Sequence, residues 1–212
     1  MPKQKEETTT SVSKRRAKKT IDKWKAKQWF EIHAPSEFDS IYIGQSPSAD
    51  EELLKSRILE NSLYDFTQDF NDASIKLRFK ITEVNGNLCN TMFVGHELTR
   101  DLIRSLVRRG SNRIQAVLDV KTKDGAVFHL TGTVFTYALA KSSQQKTIRK
   151  IMVDILTEQA SKMEFKEFVK EMVFGNIERD IKRISNEIVP IRECRLLKSV
   201  LLTSPLTIQV TV

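Results

Sequence analysis

Glycine, proline, cysteine and histidine are all scarce in this chain: 7, 5, 2 and 3 residues among 212. With so few glycines there is no GxxxxGK[ST] or GxGxxG phosphate cradle, and GxSxG is missing as well, so nucleotide loops and a nucleophile elbow are excluded. Cys89 and Cys194 stand 105 residues apart without a CxxC partner. Reduced thiols in a cytosol are expected, not a disulfide framework. His33, His96 and His129 are too dispersed to suggest a metal cluster, and no cofactor or metal is expected. No run approaches the roughly eighteen apolar residues of a membrane span.

What the chain has is positive charge, unevenly placed. Residues 1–29 carry ten Lys and Arg against Glu6, Glu7 and Asp22, so that segment holds +7 of the net +8. Val12 and Ile21 are isolated among polar residues, which rules out the apolar core of a secretory signal. Like charges and low hydrophobicity predict a disordered basic tail over residues 1–20. A single globular domain over 21–200 and a C-terminal tail over 201–212 complete the expected organisation, and no homo-oligomer is expected.

Order is expected from "DKWKAKQWFEIHAP", where Trp24, Trp29, Phe30 and Ile32 lead into a strand ending by Pro35, with Trp29 packed against the domain. Asp50, Glu51 and Glu52 suit a helix cap better than an acid/base pair, and a strand is expected around 58–64. "SIKLRFKITEV" alternates Ile75, Leu77, Phe79 and Ile81 with polar residues, the period of a strand with one buried face. Asn85-Gly86 turns it back into "LCNTMFV", and the arrangement recurs as "RIQAVLDVKTK", Asp124-Gly125, "AVFHLTGTVFTYAL". Asp65, Asp69 and Asp72 lack the glycine and terminal glutamate of a calcium loop and are expected at a solvated turn. From Ser142 apolar residues recur every three or four positions, predicting a serine-capped helix, then a second helical stretch broken at Gly175 and stopped by Pro190, then a last strand, "IRECRLLKSVLL". Strands followed by helices predict an α+β domain with an antiparallel sheet or barrel flanked by α-helices. The final "TSPLTIQVTV" alternates Leu206, Ile208, Val210 and Val212; an added edge strand or a docking peptide would satisfy that face.

"GHELTRDLIRSLVRRG" opens like the zinc motif HExxH, but position 100 is Arg, so the second ligand is missing. Read as one helix ending at Gly110, it sets Leu98, Leu102, Ile103, Leu106 and Val107 on an apolar stripe and Arg100, Arg104 and Arg108 along another, with Arg109 and Arg113 following. Arginine without lysine favours forked contacts to phosphate. Two further groups point the same way: Lys14, Arg15, Arg16, Lys18, Lys19, Lys23, Lys25 and Lys27 with Trp24 in the tail, and Lys141, Lys146, Arg149 and Lys150 at a helix start. Basic arms on a compact fold without catalytic groups indicate a non-enzymatic nucleic-acid-binding module, and composition alone leaves DNA, RNA and an acidic membrane surface open.

The stretches "IKLRFKITEV", "FVGHELTRDLIRSLVRRG", "VKTKDG", "TIRKIMVDIL" and "FVKEMVFG" resemble the small-subunit ribosomal protein family shared by archaea and eukaryotes, called S-three-a or e-type S-one. That resemblance implies a cytoplasmic structural constituent of the small ribosomal subunit, with a barrel-like core, seated on the platform near the messenger exit. It implies ribosomal RNA near its 3′ end and neighbouring ribosomal proteins as partners, with messenger RNA a further candidate and no membrane. The alternative is a free RNA-binding translational regulator.

Overall fold

The computed structural model describes Trp24, Lys25 and residues 27–204. The first strand, β1 (Gln28–His33), buries Phe30 and Ile32, and the period of two therefore turns Trp29 outward, where it is 57% exposed instead of packed. Next come β2 (Tyr42–Ser48), β3 (Ile58–Ser62) and a one-turn helix, α1 (Tyr64–Thr67). Asp50, Glu51 and Glu52 stand in a series of turns, not at a helix, because the segment closes around one buried side chain, Leu54.

The two expected hairpins are present. β4 (Ile75–Asn85) and β5 (Leu88–Leu98) meet at Gly86, and β6 (Arg113–Lys121) and β7 (Val127–Thr136) at Gly125, both glycines holding the positive φ that a tight turn requires. Between the hairpins lies α2 (Arg100–Leu106). After them come α3 (Ser142–Lys162), α4 (Phe165–Val173) and α5 (Asn176–Ser185), with Gly175 at φ +75° breaking the last two apart. The chain returns to the sheet as β8 (Ile191–Thr203), which carries it past residue 200 before the tail. Residues 205–212, and with them the expected edge strand or docking peptide, lie outside the described residues.

All eight strands join one sheet in the order β2-β1-β5-β8-β7-β6, with β4 on the other side of β5 and β3 beyond it. The sheet is mixed and open, not an antiparallel closed barrel. The reason lies at β5: β4 occupies one of its edges throughout, whereas the other is divided between β1, parallel at Leu88–Asn90, and β8, antiparallel at Gly95–Glu97. The sheet forks there instead of closing. At one fork, side chains of β3 and the residue before it reach β2: Arg57 donates to Ser46 Oγ at 2.9 Å and to the Pro47 carbonyl at 3.1 Å, and Asn61 to the Ile43 carbonyl at 3.3 Å.

Helices cover the other arm. α3 buries Ile148, Met152, Leu156 and Ala160, one side chain per turn, and comes so near β7 that a Cβ on Gly132 would sit 3.0 Å from Met152 Cε. Phe128 stacks on Phe165 at 5.5 Å and tilts against Phe168, which ties α4 to the sheet. Each such fully buried side chain is worth about 1.5–3 kcal/mol. α3 begins without a serine cap; its N-cap is Lys141, whose N–H is received by Gln144 Oε1 at 2.9 Å.

Candidate nucleic-acid interface

The expected single helix over the 95–110 stretch is not formed. Gly95, His96, Glu97 and Leu98 finish β5, and only seven residues, Arg100–Leu106, are α-helical. Tertiary pairing overrides the helical period here, since His96 lies opposite Ser199 of β8 and makes a three-way lock. The backbone N–H of His96 donates to Ser199 Oγ at 2.9 Å, Nδ1 lies 2.7 Å from the same oxygen, and Nε2 lies 3.0 Å from the Leu196 carbonyl. A carbonyl only accepts, so Nε2 carries the proton and the Ser199 hydroxyl donates to Nδ1. Burial pushes the His96 pKa down, keeping the ring neutral. Both ring nitrogens are engaged within the fold, Nδ1 by Ser199 and Nε2 by Leu196. Gly95 completes the lock, because a Cβ there would lie 2.1 Å from the Ser199 carbonyl oxygen.

This register decides what the arginines see. Glu97, a carboxylate within reach of Arg100 had the segment been helical, instead pairs with Arg78 at 2.9 Å and Lys198 at 3.9 Å. Arg100 begins α2 above a recess of mixed charge lined by Glu60, Lys76, Arg78 and Asp101. Arg104 sits one turn on, exposed. α2 ends at Leu106, whose carbonyl accepts from Arg192 Nη1 at 3.2 Å, and Gly110 turns the chain four residues later at φ +78°. Arg108 and Arg109 are therefore exposed on a loop and Arg113 on the first residue of β6, so the row of guanidiniums bends away from a helix axis. Leu102 and Ile103 pack on the core half-buried, Leu106 is half-buried, and Val107 is 49% exposed.

Asn112 joins this loop to the second predicted cluster. Its N–H donates to Thr136 Oγ1 at 2.9 Å and its Oδ1 accepts the N–H of Ala140 at 2.6 Å, immediately before α3. Arg149 Nε, about two turns along α3, donates to the Gln115 carbonyl at 2.9 Å, while Arg113 reaches Gln115 Oε1 at 3.4 Å. Thus Arg108, Arg109 and Arg113 are brought beside Lys141, Lys146, Arg149 and Lys150, stretches 28 or more residues apart. All seven are exposed, and none forms an ion pair with a described residue. An exposed run of guanidiniums and ammoniums without internal carboxylates is suited to phosphate.

The tail cluster is described in part. Lys14, Arg15, Arg16, Lys18, Lys19 and Lys23 lie outside the described residues. Trp24 is 62% exposed, Lys25 and Lys27 are exposed, and the Lys27 ammonium stands 4.2 Å from the Trp24 ring centroid. Sequence reasoning missed Tyr137 and Leu139, 66% and 73% exposed between β7 and α3. They close the expected strand stretch "AVFHLTGTVFTYAL", and no local signal sets them apart. It also missed Glu178, buried on α5, which accepts the Leu196 N–H at 2.6 Å and faces Arg195 at 3.2 Å. Burial pushes its carboxyl up to about 7 against the pull of those two donors, and the same burial raises the neighbouring Cys194 thiol.

The family model of the ribosomal S3Ae family matches residues 15–205. The small ribosomal subunit protein eS1 of Sulfurisphaera tokodaii is 43% identical over 184 residues, 87% of this chain and 95% of that protein. The eS1 proteins of Sulfolobus acidocaldarius and Desulfurococcus amylolyticus are 43% and 41% identical, again over 87% of this chain and covering 94% and 86% of their own lengths.

Proposed function

Since the chain belongs to the ribosomal S3Ae family, we propose that it is a structural, non-enzymatic constituent of the small ribosomal subunit, serving translation in the cytoplasm. Its basic face neutralises and positions phosphates of the subunit's ribosomal RNA, and its other surfaces meet neighbouring ribosomal proteins. The observation that carries the RNA contact is the junction at Asn112, which sets the Arg108–Arg113 loop against the start of α3 with its cations unpaired among the described residues. The first-turn N–H groups of α3 beside Lys141 add a phosphate-seeking end to the same face. The finer placement, on the platform near the messenger exit and the 3′ end of the RNA, follows from the family resemblance; contact with messenger RNA belongs to it.

Sedimentation of cell extract at low and high salt tests the role. The chain is expected to travel with small subunits in both; a chain left at the top of the gradient overturns the proposal and favours a free regulator. Crosslinking of intact subunits, mapped to residue and nucleotide, tests the face, with adducts expected at Arg104, Arg108 and Lys146 and with nucleotides near the 3′ end.

A further inference from the structure

The loop joining β3 to β4 shows one aromatic ring to solvent beside a half-buried one. Phe70 is 81% exposed, and Tyr64 lies against it with ring centroids 5.2 Å apart. The loop is held firmly: Leu63 at its base is 1% exposed, the Thr67 hydroxyl donates to the Asp72 carboxylate at 2.9 Å, and the Asp69 carboxylate accepts the Asn71 N–H at 3.1 Å. An exposed aromatic ring backed by a second, half-buried one on a well-anchored loop is what a docking surface presents before its partner arrives.

Charge identifies that partner. The charged residues of 63–74 are Asp65, Asp69 and Asp72, without a Lys or Arg, in a chain of net charge +8. Cations border the end of the loop, where Ser74 accepts the N–H of Thr99 next to Arg100 and Asp72 shares a recess with Arg179, Lys182 and Arg195, which leaves Asp65 and Asp69 as the exposed carboxylates of the loop, unfavourable to phosphate and complementary to cations. We propose that the Tyr64–Phe70 loop docks a lysine- or arginine-rich segment of a neighbouring protein, its cations pairing with Asp65 and Asp69 and lying over the two rings. The inference rests on the ribosomal reading only in taking that neighbour to be a component of the small subunit.

A photo-reactive benzoylphenylalanine in place of Phe70, in the full chain, tests it by irradiation in living cells. The expected product is an adduct with a Lys/Arg-rich protein segment, whose yield falls about tenfold with Asp65→Lys, as for a loss of about 1.4 kcal/mol. Asp65 is exposed and its carboxylate has no hydrogen bond to a described residue, so the melting temperature is expected to stay unchanged; Asp65→Asn, losing charge without reversal, gives a smaller fall. An adduct with RNA, an adduct with an acidic or neutral segment, no adduct, or a yield indifferent to Asp65→Lys each overturns the proposal. Sedimentation of the same adduct keeps the two readings apart: a basic-protein adduct found away from small subunits leaves the surface assigned and sinks the ribosomal role.

Discussion

Gly95 has no room for a methyl group. With the Ser199 carbonyl oxygen 2.1 Å from where its Cβ would stand, Gly95→Ala must part β5 from β8. It is expected to cost about 3 kcal/mol or more, read by chemical denaturation. His96 and Glu178 both anchor on β8 yet respond to pH in opposite senses. The His96 pKa lies below its ordinary 6.5, so the unfolded chain takes up a proton first as pH falls, and this contribution is full above about 6.5 and lost on acidification. Glu178, raised from 4.5 to about 7, holds a proton in the fold that the unfolded chain has released, so its contribution is full below 4.5 and lost as pH rises through 7. Between about pH 5 and 7, Glu178→Gln is therefore expected to make stability rise more steeply with pH than in the wild type, and His96→Asn less steeply. Denaturation midpoints at several pH values check both signs.

At the scale of elements, α2 separates packing from binding less cleanly than a long amphipathic helix would. Leu106, half-buried at its last turn, is expected to cost about 1–2 kcal/mol on replacement by Ala, under the 2–5 kcal/mol of a fully buried leucine. Arg104 and Arg108 are exposed without ion-pair partners among the described residues. Changing both to Lys keeps charge but loses the forks, so melting temperature should hold while affinity for ribosomal RNA falls a few-fold per fork. Loss of stability with affinity retained would instead make them internal bridges.

Across the whole molecule, positive charge and core are segregated. Deleting residues 1–19 removes seven basic and two acidic residues, and the buried core of the described residues begins only at Phe30. Fold stability is expected to be unchanged, whereas the salt dependence of RNA binding should flatten by about 0.7–0.9 for each phosphate left without its cation. An unchanged slope in a binding titration from low to high salt would remove the tail from the interface.

The sequence by itself determined the two hairpins, the long α3, the break at Gly175 and the basic character of three segments. Those are local matters: period two, period near four, a glycine's access to positive φ, and charge all act within a few residues. It resolved the "GHELTRDLIRSLVRRG" stretch wrongly as one helix, because nothing nearby announces that Ser199 and Leu196, about a hundred residues on, will take both nitrogens of His96 and hold 95–98 in the sheet. The open, forked sheet was equally out of reach, since β5 shares one edge between β1 and β8 through pairings that local pattern does not encode. Only the tertiary structure decided which cations stand together: Asn112 fixes the Arg108–Arg113 loop to the start of α3 through two hydrogen bonds, and such a bond between distant stretches is set by packing rather than by spacing.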